Sequence, residues 1–200
     1  PMVRADTVYK VPQGTQIIGD GAFSRCSSLS DITIPNNVIS IGDRAFDGCS
    51  NLTDISLPGS VASIGEWAFS SCSSLSAITL SDNLISIGDG AFNNCGSLMD
   101  IVLPDSLTTI GDRAFVGCGS LTDIVLPDHV TTIGNEVFYD CGSLTSITIP
   151  GSVASIGNEA FFGCYSLENI IIAPDSFAQE YCEENGLPFV YQENTDWLSN

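Results

Sequence analysis

Hydrophobic and polar positions recur along this chain with a period of 23 residues. An isoleucine begins each of seven copies, and a phenylalanine and a leucine follow it at fixed distances. These isoleucines are Ile18, Ile41, Ile64, Ile87, Ile110, Ile133 and Ile156. A period in the range of about 20–50 residues indicates stacked repeats, because one unit cannot bury its apolar side chains without its neighbours. The pattern therefore predicts a solenoid.

Each repeat can be written I-G-D-x-A-F-x-x-C-x-S-L-x-x-I-x-I/L-P. Apolar and polar residues alternate over Asp31–Pro35, which predicts a short strand that ends at the proline. In the segment D-x-A-F-x-x-C, an aspartate of the type that caps helices precedes apolar residues two, three and six positions later. This spacing predicts one helical or 3₁₀ turn. The fold class expected is α/β, with a parallel sheet on one face and short helical turns on the other.

The ends of the chain depart from the period. Residues 1–17 form an N-terminal half repeat, residues 18–172 form seven repeats, and residues 173–200 form a C-terminal cap with a tail. Ser176 and Gln179 have the spacing of a capping box, and Gly186 is a typical helix stop. We therefore predict a helix over 177–184, with a last strand after it at 187–191, as a cover for the open end of the solenoid.

The repeat resembles the BspA-like class of leucine-rich repeats over about residues 8–191, because seven copies carry the same I-G-x-x-A-F-x-x-C and L-x-x-I-x-L-P motifs. The resemblance implies a right-handed solenoid, a place on a cell surface or outside the cell, and a role in adhesion or protein binding. We predict no cofactor. The turn position that usually carries asparagine varies here, from Asn37 to Ser60 to His129, so another contact must hold the turn.

The charge balance narrows the choice of ligands. The chain has 24 acidic and 5 basic residues, for a net charge of −19. Such a surface repels nucleic acid and anionic membranes. The sequence has no apolar run long enough for a membrane-spanning helix. No signal segment opens the chain, whose start at Pro1 looks like a cut, so the surface location is implied by the family alone.

Seven cysteines share the phase of the phenylalanines and should point inward; they are Cys26, Cys49, Cys72, Cys95, Cys118, Cys141 and Cys164. Inert buried thiols are the favoured interpretation. Disulfides between stacked copies are an alternative, since the strand spacing would permit them. A metal column is a further alternative, although a linear array offers no tetrahedral site. Cys182 lies outside the column and is the thiol we expect to react.

The columns of acidic residues are expected to stabilise turns rather than to take part in catalysis or metal binding. Asp20 and its equivalents are expected to cap turns. Asp82, Asp105 and Asp128 follow the strands in three consecutive repeats and are weak calcium candidates. His129 is the single histidine, and a catalytic role would need a nearby nucleophile and an orienting acid, which the sequence does not supply. We therefore predict that the chain is not an enzyme.

Candidate binding residues lie where the copies disagree. The column that begins with Ser24 becomes apolar at Val116, Tyr139 and Phe162, with Tyr165 close by. Stacked large side chains on an exposed turn would form a contiguous patch, unless they pack against the cap or are half-buried between turns. Three further candidates are Trp67, which is expected to be exposed, and two outward sheet residues, Val102 and Val125.

Two functions are compatible with these features. The first is a non-catalytic binding or adhesion module that presents a solenoid face to a protein or host ligand. The second is a spacer or presentation segment of a larger polypeptide whose enzymatic or anchoring domain lies elsewhere.

Overall fold

The computed structural model describes residues 7–192, which form a parallel β-solenoid of about eight turns with one helix near its C-terminal end. The outer parts of the N-terminal half repeat and of the tail, residues 1–6 and 193–200, lie outside the described residues. The elements in chain order are β1 Val8–Lys10, β2 Ile17–Ile18, β3 Asp31–Thr33, β4 Ser40–Ile41, β5 Asp54–Ser56, β6 Ser63–Ile64, β7 Ala77–Thr79, β8 Ser86–Ile87, β9 Thr109–Ile110, β10 Asp123–Val125, β11 Thr132–Ile133, β12 Ser146–Ile149, β13 Ser155–Ile156, β14 Asn169–Ile172, α1 Phe177–Asn185 and β15 Phe189–Tyr191.

The predicted strands form one side of the solenoid. They pair in parallel with a register of one repeat, as in Tyr9 opposite Ile32 and Ile147 opposite Ile170. The ladder is interrupted twice in the described chain: β3 does not pair with β5, and residues 101–103 pair with neither β7 nor β10, where a single bridge joins Ala77 to Asp100. Alternate residues point inward, so strands such as β3 and β5 bury an isoleucine and expose the polar residue on either side of it.

A second sheet, which the sequence pattern did not predict, runs along another side of the solenoid. It consists of seven two-residue strands in the order β2-β4-β6-β8-β9-β11-β13. Each contains the isoleucine that begins a repeat, and in all but the last, β13, that isoleucine is buried. A typical coil thus has two strands and one turn segment, and the coil that contains residues 101–103 has one strand.

The turn segment differs from the predicted helical turn. Two residues per repeat have positive φ, for example Arg44 at 52° and Gly48 at 73°. Such residues interrupt a helix. The segment is instead a series of tight turns, in which Ala45 N donates to Gly42 O at 3.3 Å and Cys49 N to Phe46 O at 3.0 Å. Other amides of the segment donate to the following coil, so the turns are bonded between repeats as the strands are.

The core is built from columns of identical residues. Phenylalanine rings of successive coils lie 5.1–5.7 Å apart between centroids with planes 2–8° apart, from Phe23 to Phe161. This spacing is within the range that aromatic pairs favour. The leucine column is also buried from Leu29 to Leu144. Stacking of whole repeats therefore supplies the burial that no single repeat could achieve.

The predicted capping helix is present as α1. Ser176 Oγ accepts a bond from Gln179 N at 3.3 Å, and Gly186 has φ of 63°, as the capping motifs predicted. Ala178 is buried and Tyr181 packs edge-on against Phe161 at 6.2 Å, so the helix covers the end of the phenylalanine column. After it, β15 extends the strand side by pairing with β14.

Candidate functional site

The cysteine column lies in the core and is held by hydrogen bonds between coils. All eight cysteines are free thiols. Six of them donate Sγ–H to a phenylalanine carbonyl of the preceding coil at 3.0–3.2 Å, as Cys49 does to Phe23. That carbonyl also accepts the amide of its own coil's cysteine. Cysteine therefore combines apolar bulk with a weak donor at a site where a strong dipole would be costly to bury.

These thiols are poorly suited to reaction. Burial raises the pKa of Cys49 and of Cys95 to about 12, which keeps both protonated. The expectation that Cys182 is reactive is wrong, because this side chain is fully buried on the inner face of α1 and burial raises its pKa to about 11. The half-buried thiols are Cys26 and Cys164, at the two ends of the column.

The first acidic column caps backbone amides, but those of the next coil rather than its own. Asp20 Oδ1 accepts from Asp43 N at 2.9 Å, and Asp89 Oδ1 from Asp112 N at 2.9 Å. Asn135 does the same for Asn158 N at 3.0 Å, so a neutral oxygen suffices. In the described structure no equivalent bond joins Glu66 to the amide that follows it one coil later. This column is a structural ladder, interrupted at its one glutamate.

The variable turn position is also structural. Ser106 and Ser152 donate their hydroxyls to carbonyls of the preceding coil at 2.7 and 2.8 Å. His129 continues this arrangement, since its Nδ1 lies 3.0 Å from the carbonyl oxygen of Asp105. A carbonyl can only accept, so Nδ1 carries the proton. A mixture of serine, asparagine and histidine thus donates to the neighbouring turn in place of an uninterrupted row of asparagines. His129 therefore helps to hold the fold.

The calcium candidates do not form a ligand set. Asp82, Asp105 and Asp128 stay one per coil in exposed turns, and within residues 7–192 no three acidic, histidine or cysteine side chains converge on a position for a metal ion. Calcium requires about six to eight oxygens. The geometry therefore gives the calcium hypothesis no support.

The apolar column forms an exposed patch, which we call the aromatic edge and define as Val116, Tyr139, Phe162 and Tyr165. Tyr139 and Phe162 stack with centroids 5.1 Å apart. Phe162 is 55% exposed and Tyr165 87% exposed, whereas Val116 and Tyr139 are half-buried between turns. The cap packs on Phe161, the neighbour whose side chain points inward, and leaves this edge uncovered.

Acidic side chains surround the aromatic edge. The pKa of the Tyr139 phenol is raised, first by partial burial and then by the carboxylates of Asp140, Glu159 and Glu136. Glu136 forms a salt bridge with Arg113 at 2.7 Å. Asp140 and Glu159 are exposed, and the structure gives neither carboxylate a cationic partner among the described residues. The edge thus joins aromatic rings to available negative charge.

The other candidate residues lie apart from this edge. Trp67 is half-buried rather than exposed, because its indole lies over Gly90, where a methyl group would come within 2.5 Å of the ring. Val102 and Val125 are 75% and 63% exposed on the strand side. They line a shallow cleft of about 270 Å³ with Asp100 and Asp123, at the second of the two interruptions of the ladder. The structure therefore separates the candidates into three locations.

One exposed apolar column was missed from the sequence. Ile39 and Ile85 are each about half exposed on either side of Ala62, at the corner before the two-residue strands. The signal was available, because the copies V-I-S-I and L-I-S-I carry isoleucine where V-A-S-I carries alanine. It was overlooked because the second sheet was not predicted, so no outward direction could be assigned there.

A family model described as BspA type leucine rich repeat region, in six copies, matches residues 7–120 and 86–182. The chain belongs to this BspA-type leucine-rich repeat family. Such repeat proteins are generally protein-interaction or surface modules and are generally non-enzymatic. No curated protein matches the sequence. Within residues 7–192, no helix has the length and apolar character needed to cross a bilayer.

Three solved bacterial structures are similar to this BspA-type chain. The leucine-rich repeat protein TpLRR of T. pallidum is 31% identical with a TM-score of 0.79, over 94% of this chain and 86% of that one. A leucine-rich repeat protein from Bacteroides ovatus is 32% identical with a TM-score of 0.61, over 82% and 48%. A leucine-rich cell surface protein from Faecalibacterium prausnitzii is 30% identical with a TM-score of 0.50, over 87% and 61%. The chain thus spans about half of the second protein and less than two thirds of the third.

Proposed function

We propose that this chain is a non-catalytic binding module that holds a protein ligand at a cell surface or outside the cell, in an adhesive role, through the aromatic edge. The observation that carries the proposal is that Phe162 and Tyr165 remain exposed although a cap is present and covers the adjacent Phe161. Aromatic side chains are enriched at protein interfaces, where they supply large contact areas at low entropic cost. The F. prausnitzii relative, named a cell surface protein, supports the location.

The chemistry of the polar columns supports a role in binding rather than catalysis. A nucleophile needs an accessible thiolate or an adjacent base. Here six of the seven column thiols are bonded to phenylalanine carbonyls, and the proton-bearing nitrogen of His129 faces a backbone carbonyl. Both residue types therefore make hydrogen bonds that join one coil to the next.

A second candidate function is the presentation segment of a longer polypeptide. It is favoured by the lengths of the relatives, since this chain corresponds to 48% of the B. ovatus protein and 61% of the F. prausnitzii protein. In that case the solenoid would hold another domain at a distance, and its aromatic edge would have no ligand of its own.

Biolayer interferometry distinguishes the binding module from the presentation segment. The chain is immobilised and probed with an array of purified extracellular and cell-surface proteins. We expect at least one array protein to bind the wild-type chain and to lose most of its affinity for the variant Tyr139→Ser/Phe162→Ser. The matched control Val102→Ser/Val125→Ser removes two exposed apolar residues from the strand side and should bind normally. Absence of any binding, or equal binding by the first variant, would favour the presentation segment.

A further inference from the structure

Charge is distributed very unevenly along the solenoid. All five lysines and arginines lie at or before Arg113, whereas residues 114–200 contain twelve aspartates and glutamates and no lysine or arginine. Because the coils stack in sequence order, the C-terminal coils form the strongly negative end of the molecule. The aromatic edge lies on these coils.

Two carboxylates lie beside the half-buried Tyr139 ring and the exposed Phe162 ring. Asp140 follows Tyr139, and its Oδ1 lies against Gly163, the residue after Phe162, closely enough that a methyl group there would overlap it. Glu159 begins the tight turn in which Phe162 N donates to its carbonyl at 3.1 Å. Both carboxylates are exposed, and Arg113, the cation nearest to them along the described chain, is paired with Glu136.

Aromatic faces and carboxylates together suit one kind of side chain. Lysine and arginine lay an apolar stem along hydrophobic surface while the charged head stays hydrated or pairs with an acid. Arginine also stacks on aromatic rings and binds carboxylates with two parallel hydrogen bonds. A neutral or acidic segment would leave the carboxylates unpaired or would be repelled.

We propose that the aromatic edge binds a lysine- and arginine-rich segment of the partner protein, with cationic side chains over the Tyr139 and Phe162 rings and their heads against Asp140 and Glu159. This inference rests on the proposed function, since it specifies the partner of the same surface. A second copy of this chain is the main competing occupant, because Arg25 and Arg44 lie exposed on turns at the opposite end.

Fluorescence anisotropy with fluorescein-labelled octa-arginine at 150 mM NaCl tests the inference, with octa-glutamate as the negative probe. We expect octa-arginine to bind and octa-glutamate not to bind. Phe162→Ser should weaken the binding about fivefold, the equivalent of about 1 kcal/mol for a cation–π contact. Asp140→Asn/Glu159→Gln should weaken it by a similar factor.

A matched charge control distinguishes binding at the aromatic edge from general attraction of octa-arginine to an anionic protein. Asp31→Asn/Asp82→Asn removes the same charge from two exposed positions on N-terminal coils and should change the affinity less than about twofold, because screening limits charge effects to about 8 Å at this ionic strength. An equal loss with this control, or wild-type affinity in Phe162→Ser, would overturn the inference. If Phe162→Ser fails to fold by circular dichroism, Phe162→Leu replaces it, since leucine keeps apolar bulk without a π face.

Two further results distinguish the possible failures. Dimerisation of the wild-type chain, measured by light scattering and lost in Phe162→Ser, would overturn the inference in favour of a second copy. If an array protein binds through the aromatic edge but octa-arginine does not, the basic segment is wrong while the proposed function stands. If neither binds, both fail.

Discussion

The glycine that follows the first isoleucine of each repeat offers a sharp test of how the coils approach one another. At Gly111 a methyl group would lie 2.5 Å from Asp89 N and 2.7 Å from Gly88 C. Both are backbone atoms of the preceding coil and cannot rotate away. At Gly19, in the first full repeat, none of the described atoms outside its chain neighbours lies within 4 Å of the same position. The two glycines therefore form a matched pair. An added methyl group would collide with the preceding coil at Gly111 but not at Gly19.

The variant Gly111→Ala should lower the free energy of unfolding by about 2–4 kcal/mol. Overpacking accounts for about 1–3 kcal/mol, and displacement of the bond between Asp112 N and Asp89 Oδ1 adds about 1 kcal/mol. Gly19→Ala should instead be neutral or stabilise the protein by up to about 1 kcal/mol, because alanine restricts the unfolded chain.

Urea unfolding followed by circular dichroism measures both variants, with the slope compared to confirm that the folded state is unchanged. In thermal scans, each kcal/mol should lower Tm by about 2–4 °C for a chain of this size. The reasoning would be refuted if Gly111→Ala unfolded within about 0.5 kcal/mol of wild type, which is the range of an ordinary surface change. It would also be refuted if Gly19→Ala were destabilised equally.

Three further predictions concern the polar columns. Glu66→Asp should complete the ladder to Asp89 N and raise the free energy of unfolding by about 0.5–1 kcal/mol in urea, whereas Glu66→Gln should not. Because burial raises the pKa of Cys95 from 9.0 to about 12, the stability it confers should be complete below pH 9 and decline as pH rises toward 12, so urea midpoints that stay constant from pH 8 to 10.5 would contradict the buried column. Ellman's reagent should label only Cys26 and Cys164 in the native protein and all eight thiols in denaturant; rapid native labelling of Cys182 would contradict its burial on the inner face of α1.

The period predicted the parts of the fold that depend on side-chain burial. The inward strand isoleucines, the phenylalanine and leucine columns, and a helix begun by Ser176 and ended by Gly186 all followed from patterns that report burial or capping. The two-residue strands could not be predicted, because one alternation is too short to show a period of two. They form because stacking places the same backbone segment of successive coils within bonding distance.

The turn segment shows a different limit of sequence reasoning. Its two positive-φ positions carry glycine in some copies, such as Gly21 and Gly48, but arginine, tryptophan, asparagine or acids in others. The mixture obscured a glycine signal that aligned copies contain, and the apolar spacing alone suggested a helical turn. The backbone bonds to the neighbouring coil impose the left-handed conformation on residues that would not choose it alone.

Only part of the candidate site could be predicted from the sequence. The change from polar to apolar residues at Val116, Tyr139 and Phe162 marked the aromatic edge. The sequence did not say whether the cap would cover this edge, because that depends on the direction in which α1 crosses the end of the phenylalanine column. Likewise, Trp67 was expected to be exposed because other copies carry glycine, arginine or glutamate at its position. Its burial depends on a glycine one coil away, and an absent side chain leaves no mark in a hydropathy pattern.

The hydrogen bonds between coils have a consequence for the length of the molecule. Cysteine to phenylalanine spans 26 residues, aspartate to amide 23 and serine to carbonyl 22, so each bond reaches only the adjacent coil. Excision or duplication of a 23-residue block would therefore rejoin equivalent partners and leave no donor without its acceptor. The number of coils is thus free to change while the structure of each coil stays the same, and a surface at one end can be carried nearer to or farther from the other in steps of about 4.8 Å.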